Sequence, residues 1–245
     1  MWSPYWEESK ERCLVAMDTD KFIDTTGRGG ERNRTSTAII LLAAGASIRM
    51  GRPKLLLTSG TRSFMRHAAE VAVASVCRPI LVVLGAYASQ LQTEIDDLPV
   101  QSVINERWDE GMGASIQAGM QALKTNDRAE NTEAVVLMLC DHPYVTATVI
   151  NDLVTAYHSN RKGIVASEYG GTLGAPALFG PEYFAELSAL RGTTGAKHII
   201  AAHPFDVAPV SFPKGITDID TPEDYRKLLL AMLPQDPQGT SSIVR

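Results

Sequence analysis

The sequence has little of what marks secreted, zinc-binding or membrane proteins. Only three of its 245 residues are cysteine, and Cys13, Cys77 and Cys140 lie far apart, with no CxxC pair. Such spacing predicts neither a disulfide framework nor a cysteine zinc site, and it favours the reducing cytoplasm. No apolar run approaches the roughly 18 residues that a membrane-spanning helix needs. We therefore expect a cytoplasmic protein without membrane association.

The sequence also has fewer basic residues than acidic ones. The chain has 23 Lys and Arg against 28 Asp and Glu, which gives a formal net charge of −5. A general nucleic-acid-binding protein usually carries a basic surface, so nucleic acid is not an expected partner. If the protein binds an anionic small molecule, a local group of cations must hold it.

The middle of the chain alternates apolar runs with helical patterns. Continuous apolar runs are typical of strands covered on both faces, and a 3.6-residue spacing predicts helices. The predicted strands are 37–44, 79–85, 100–105 and 134–140, and the predicted helices are 63–76, 87–95, 115–125 and 146–159. This βαβα order predicts an α/β fold, with a doubly wound, mostly parallel sheet and helices on both faces.

Three other segments depart from this alternation. Residues 1–35 are polar and lack a sustained hydrophobic period, which predicts a flexible N-terminal extension. Residues 233–245 are predicted to be a disordered tail, so that one domain spans 36–232. Within that domain, 162–212 mixes short strands and helices, and we expect it to form a lobe over the sheet edge.

The segment LAAGASIRMGRPK, residues 42–54, directly follows the first predicted strand. Gly45 and Gly51 allow the backbone to approach a ligand closely, and successive N–H groups in such a loop can bind an anion. Arg49 and Lys54 add full positive charges, and so does Arg52, for which orientation toward solvent is the alternative. Ligands of open α/β sheets bind outside the carboxyl ends of the strands. The segment therefore predicts a phosphate-binding loop.

This loop does not match the two commonest phosphate-binding motifs. The GxxxxGK[ST] pattern fails because Lys54 is followed by Leu55. A second glycine segment, GMGASI at 111–116, fails as GxGxxG because Ile116 stands where the third glycine belongs. P-loop kinases and dinucleotide-binding folds are thus both disfavoured.

The loop resembles the signature LAAGxSxRMGxxK of the nucleotidyltransferases that attach a nucleotide to molybdopterin, specifically the molybdenum cofactor cytidylyltransferase family. Later segments resemble further motifs of that family in the same order: NERWDEGMGASIQAG (105–119), LMLCDHPYV (137–145), GAPALFG (174–180), GTTGAK (192–197) and DIDTPEDY (218–225). The resemblance covers about residues 38–230. It implies a Rossmann-like nucleotidyltransferase domain over 36–232 and a Mg²⁺-dependent transfer of a nucleoside monophosphate.

Candidate catalytic residues are Arg49, Lys54 and Asp141. The two cations would stabilise charge as pyrophosphate leaves. Asp141 and Asp220 would hold Mg²⁺, because this ion usually takes one or two carboxylates plus substrate phosphates. Helix or turn capping is the alternative for both acids, and it is stronger for Asp220, which precedes a Thr-Pro helix start. The predicted nucleotide-binding residues are Leu42, Ala43, Ala44, Gly45, Ser47, Gly51, Lys54, Gly113 and Ser115.

The choice of substrates depends on few positions. In this family LAAG tends to accompany CTP and LAGG to accompany GTP, so Ala44 favours CTP. The resemblance implies a molybdopterin-type cofactor as acceptor and a molybdenum hydroxylase as recipient of the product. His142, Thr193 and Lys197 differ from the usual motif residues where the pterin is expected. The alternatives are GTP, another phosphorylated acceptor, or a non-catalytic carrier or insertion accessory for the cofactor.

Overall fold

A computed structural model describes residues 36–129 and 131–232 of the chain. The predicted extension (1–35) and tail (233–245) lie outside the described residues. The strands are β1 Ser36–Ala43, β2 Thr58–Ser59, β3 Arg62–Ser63, β4 Ile80–Leu84, β5 Gln101–Ile104, β6 Thr132–Leu139, β7 Ile164–Tyr169, β8 Thr172–Phe179 and β9 Val207–Ser211. The α-helices are α1 Phe64–Ala74, α2 Ala88–Thr93, α3 Met112–Lys124, α4 Ala147–Ser159, α5 Phe184–Ala189, α6 Lys197–Ala202 and α7 Pro222–Ala231.

Seven of the strands form one sheet in the order β5-β4-β1-β6-β8-β7-β9. Strand β8 pairs antiparallel with both of its neighbours, and the other pairs in this sheet are parallel. The predicted mostly parallel sheet is confirmed. Because β1 and β6 are adjacent and parallel, the loop that follows β1 and the residues that follow β6 lie at the same edge.

Alternate residues of the central strands face opposite sides of the sheet. Ile39 and Leu41 belong to an apolar cluster that includes Phe64 of α1, whereas Ile40 belongs to a second cluster with Ile116 of α3. All five of these side chains are buried. A strand covered on both faces needs such a continuous apolar run, which explains why the runs in the sequence identify the strands.

Residues 162–212 do not form a lobe over the sheet edge. Their strands β7, β8 and β9 continue the main sheet, and β8 pairs directly with β6. A tight turn at Gly170 and Gly171, both with positive φ, joins β7 to β8 and allows this antiparallel hairpin. Strand β8 therefore interrupts the parallel order that the βαβα rhythm predicts.

Helix α3 begins three residues earlier than the sequence pattern predicts, at Met112. Gly111 precedes it with φ of 112°, a backbone conformation that favours glycine. A Cβ on Gly111 would lie 2.6 Å from the carbonyl oxygen of Gly192. In the described part of the chain, no helix is long and apolar enough to cross a membrane.

Candidate functional site

The loop after β1 folds into two short turns. Ile48–Met50 and Lys54–Leu56 are 3-10 turns, and Ser47 and Gly51 adopt left-handed backbone conformations with φ of 54° and 69°. The Ser47 hydroxyl accepts a hydrogen bond from the backbone N–H of Lys54 at 3.2 Å. This bond joins the two turns and directs the Lys54 side chain across the edge of the sheet.

Lys54 meets two acids that are distant in sequence. Its Nζ lies 2.7 Å from Asp141 Oδ2 and 2.8 Å from Asp220 Oδ1. Arg49 Nη2 lies 2.6 Å from Asp220 Oδ2. Asp141 follows β6 by two residues, and Asp220 precedes α7 by two. The structure thus brings Arg49 and Lys54 of the loop together with both candidate metal-binding carboxylates, whereas Arg52 lies over the Tyr225 ring.

Interactions within the cluster shift the pKa values of Lys54 and Asp220. Burial by itself would lower the pKa of Lys54, but Asp141 and Asp220 outweigh it and raise that pKa above its usual value. Burial would raise the pKa of Asp220, but hydrogen bonding and charge from Lys54, with Arg49 adding to them, lower it. The Lys54 side chain is 17% exposed, whereas that of Arg49 is 72% exposed. We therefore expect Lys54 and Asp220 to be charged near pH 7.

The Asp220 carboxylate does not cap helix α7. Thr221 is the N-cap of α7, where its hydroxyl accepts from the N–H of Asp224 and the Asp224 carboxylate accepts from the N–H of Thr221. This capping box closes the helix start without the Asp220 carboxylate. Asp141 Oδ2 likewise bonds Lys54 rather than a turn, and its Oδ1 is buried without a hydrogen-bond partner among the described residues.

A cavity of about 340 Å³ lies over this cluster. Most of the predicted site residues line it, namely Leu42, Ala43, Ala44, Gly45, Ser47, Arg49, Lys54, Ser115, Asp141 and Asp220. Ser115 also accepts a hydrogen bond from the amide of Asn105, which holds the start of α3 against the end of β5. The cavity combines a glycine-containing loop, two cations and two carboxylates, which is the chemistry that a metal-bound triphosphate requires.

Two predicted nucleotide-binding residues do not line this cavity. Gly51 ends the first 3-10 turn of the loop, where its positive φ is needed. Gly113 is buried, and a Cβ there would lie 2.8 Å from the backbone of Arg191. The structure thus gives both glycines a turn or packing role. Sequence reasoning also missed Trp108 and Met112, which line the cavity and carry no phosphate-binding signal of their own.

A second cavity, of about 390 Å³, adjoins the first and shares Leu42, Met112 and Leu139 with it. His142 and Lys197, two of the residues that differ from the usual motifs, line it. Thr193, the third, is exposed and does not line it.

The acids of the first cavity suit a divalent cation that a substrate helps to hold. The described part of the chain contains no group of three or more His, Cys, Asp or Glu side chains arranged as a metal site. Asp141 and Asp220 supply two carboxylates, and the unpartnered Asp141 Oδ1 leaves one oxygen available. Two carboxylates completed by phosphates and water match the usual Mg²⁺ coordination.

Comparison with known proteins identifies the family. The family model for the MobA-like NTP transferase domain matches residues 39–207, well over half of the chain. The chain belongs to the MobA-like NTP transferase family. It is therefore a nucleotidyltransferase of the MobA-like type, and the predicted resemblance is confirmed at that level.

Relatives of this MobA-like protein carry different names. Nicotine blue oxidoreductase of Paenarthrobacter nicotinovorans is 30% identical over 202 residues, covering 78% of this chain and 95% of that protein. Purine catabolism protein PucB of Bacillus subtilis is 25% identical, covering 79% and 96%. The crystal structure of Rv0371c from Mycobacterium tuberculosis superposes with a TM-score of 0.68 at 26% identity, covering 80% and 98%. Rv0371c has also been solved in complex with manganese.

Proposed function

We propose that this MobA-like protein transfers CMP from CTP to the terminal phosphate of a molybdopterin-type cofactor, with Mg²⁺, and releases pyrophosphate. The observation that carries the proposal is the convergence of Lys54 and Arg49 with Asp141 and Asp220 in one cavity. The LAAG signature and the later motifs support the choice of substrates. The product would pass to a molybdenum hydroxylase.

In this reaction the cationic side chains Lys54 and Arg49 would exchange their ion-pair partners. Lys54 and Arg49 pair with carboxylates in the structure, and both would turn to the phosphates of CTP. Asp141 and Asp220, released from Lys54, would then hold Mg²⁺. When bound, Mg²⁺ supplies charge neutralisation on the phosphate oxygens.

The transfer itself needs little covalent work from the side chains. An oxygen of the acceptor phosphate bonds the α-phosphorus of CTP while the bond from that phosphorus to the bridging oxygen of the β-phosphate breaks. The electron pair of the broken bond leaves with pyrophosphate. Lys54 would stabilise that developing charge, since a pre-positioned cation in a part-buried cavity acts more strongly than one in water.

Ala44 supports CTP over GTP. Its side chain is 4% exposed and lines the first cavity. Gly85 leaves room for this methyl group, because a Cβ at position 85 would lie 2.8 Å from the Ala44 Cβ. On the proposed function, the methyl group would narrow the base pocket relative to a glycine at position 44.

The direct test is to incubate the purified protein with molybdenum cofactor, Mg²⁺ and each NTP in turn, and to measure pyrophosphate. We expect release with CTP, less with GTP, and much slower release when Lys54 is replaced by Ala. Release with a different acceptor alone would transfer the proposal to that acceptor. A non-catalytic carrier would instead load the cofactor equally well with and without Lys54.

A second candidate function follows from the 30% identity to nicotine blue oxidoreductase. In that case the chain would catalyse electron transfer to an organic substrate. The failure of GMGASI to match GxGxxG gives no support to a dinucleotide site in this segment. Oxidation of NADH or NADPH by the purified protein in the presence of a planar aromatic acceptor, followed by absorbance, would favour this candidate. No oxidation with any acceptor would count against it.

A further inference from the structure

The turn that follows β4 is hydrogen-bonded to the loop that follows β1. The backbone N–H of Ala86 donates to the carbonyl oxygen of Ala44 at 3.1 Å. The hydroxyl of Tyr87, the residue directly before α2, donates to the carbonyl oxygen of Ala46 at 3.2 Å. Two alternate carbonyl groups of the loop are therefore bonded to a single turn, residues 85–87.

This turn lies very close to the loop. A Cβ on Gly85 would lie 2.6 Å from the carbonyl oxygen of Ala44 and 2.6 Å from the Cβ of Trp108. Only a glycine at this position lets the two backbones approach so closely. The half-buried Tyr87 ring packs against the apolar cluster that includes Phe64, so the core holds the phenol in place. The Tyr87 hydroxyl is therefore a fixed donor.

These two bonds set the direction of two loop amides. In a planar trans peptide, the carbonyl group and the N–H group of the next residue point in opposite directions. Because the carbonyls of Ala44 and Ala46 face the turn, the N–H groups of Gly45 and Ser47 point away from it. Both residues line the first cavity, and no described residue accepts a hydrogen bond from either N–H. The two amides are thus available to an anion in that cavity.

The backbone of Ser47 shows why this orientation needs support. Its φ of 54° and ψ of 39° are left-handed, a conformation that is unfavourable for residues with a side chain. Rotation of the peptide between Ala46 and Ser47 would change this φ and would also turn the Ser47 N–H toward the 85–87 turn. The hydrogen bond from Tyr87 opposes that rotation, because it holds the Ala46 carbonyl.

We propose that Tyr87 is a positioning residue, which holds the loop in the conformation that presents the N–H groups of Gly45 and Ser47 to the phosphates of the nucleotide. Tyr87 itself does not touch the substrate in this account. Its hydroxyl acts through the Ala46 carbonyl and keeps the loop preorganised, so that binding does not have to supply the free energy of ordering it. The proposal rests on the proposed function, because it requires the nucleotide phosphates to occupy the first cavity.

The test removes only the hydroxyl, with Tyr87→Phe in the full chain. Calorimetry with inorganic tripolyphosphate and Mg²⁺ measures phosphate binding without a base or an acceptor. We expect the affinity to fall by about three- to tenfold, as the loss of one hydrogen bond predicts. In turnover, KM for CTP should rise by a similar factor while kcat changes by less than about twofold, because the loop amides hold the phosphates before and during transfer.

Tyr157→Phe is the matched control. The half-buried Tyr157 on α4 also donates its hydroxyl to a backbone carbonyl, that of Glu133, and it lines neither cavity. Its tripolyphosphate affinity should equal that of the unmodified protein, and thermal unfolding should show that both variants are folded.

Three results would overturn the inference: unchanged tripolyphosphate affinity in Tyr87→Phe, an equal loss in Tyr157→Phe, or no tripolyphosphate binding to the unmodified protein. A fall in kcat as large as the rise in KM would also contradict it, because that indicates a general distortion of the cavity. Absence of turnover with CTP and the molybdenum cofactor would count against the proposed function instead, and the tripolyphosphate affinities would still decide the role of Tyr87.

Discussion

The two adjoining cavities differ chiefly in how their charged side chains are arranged. The first contains Arg49, Lys54, Asp141 and Asp220 in one ion-pair cluster, whereas the second is mostly apolar around the buried His142. They share a wall at the carboxyl edge of the sheet. The difference separates two sets of residues, of which the first would carry the phosphate chemistry on the proposed function. Changes to one set should leave the other largely intact.

The largest expected effect comes from removing the central cation. Lys54→Ala should lower kcat for nucleotidyl transfer by about 10²- to 10³-fold, because stabilisation of the leaving pyrophosphate is lost. Steady-state pyrophosphate release measures it, and Lys124→Ala, an exposed lysine at the end of α3, is the control. An unchanged kcat in Lys54→Ala would contradict a role for this lysine in the transfer.

The metal requirement should respond to Asp141. Asp141→Asn should raise the Mg²⁺ concentration needed for half-maximal activity by about tenfold, since one of two charged oxygen ligands is lost. Activity measured over a Mg²⁺ titration tests this. His158→Gln, at an exposed position of α4 that lines neither cavity, is the control and should leave the titration midpoint in place. An unchanged midpoint in Asp141→Asn would remove Asp141 from the metal site.

A smaller effect is expected on the choice of base. Ala44→Gly should raise kcat/KM for GTP relative to CTP by about three- to tenfold, because removal of a methyl group changes binding by about a kcal/mol. Parallel assays with the two nucleotides measure the ratio. Ala46→Gly, at a neighbouring position that also lines the first cavity, tests whether any added glycine has this effect. If both variants shift the ratio equally, Ala44 is not the selecting residue.

The smallest expected effect is on folding stability, and it comes from Asp206, which lies outside both cavities. The Asp206 carboxylate accepts hydrogen bonds from the Tyr183 hydroxyl at 2.6 Å and from the N–H of Gly163 at 3.1 Å, and the Tyr183 bond is the main cause of its lowered pKa. A lowered pKa means that this contribution to stability is present above the unfolded Asp pKa, roughly 4, and is lost as pH falls through the folded pKa. Asp206→Asn should cost about 1 kcal/mol at pH 7 and weaken the loss of stability in acid.

Denaturant unfolding of the two proteins at pH 7 and at low pH measures this difference. Asp152→Asn, at a surface position of α4, is the control and should behave like the unmodified protein. CTP affinity at pH 7 should be the same in all three. An Asp206→Asn protein with altered CTP affinity would show that the sheet edge near β9 is coupled to the first cavity.

The sequence predicts the first cavity far better than the second. Lys54, Asp141 and Asp220 each follow or precede an element whose pattern is clear, and the geometry of a parallel sheet brings the ends of β1 and β6 together. The second cavity is built from residues such as Ala196, Ile200 and Tyr169, which carry no chemical signature. Tertiary contacts of β7, β8 and α6 with β6 and α3 assemble it, and the sequence analysis singled out only His142 and Lys197 among its lining residues.

Glycine residues show the same limit of prediction from sequence. Gly51 and Gly113 share the residue type of a phosphate loop, yet one is required by a positive φ and the other by close contact with Arg191. A sequence gives the same letter for a glycine that contacts a ligand, one that turns the chain and one that packs against backbone. The structure is needed to distinguish them.

The central claim is that Lys54 exchanges its two carboxylates for phosphates while Asp141 and Asp220 take up the metal. A crystal of the protein soaked with CTP and Mn²⁺, measured by anomalous diffraction, tests it most directly. We predict an anomalous peak within coordination distance of both carboxylates, with Lys54 Nζ bonded to a phosphate oxygen. A metal peak elsewhere, or bound CTP with Lys54 still bridging Asp141 and Asp220, would contradict the account.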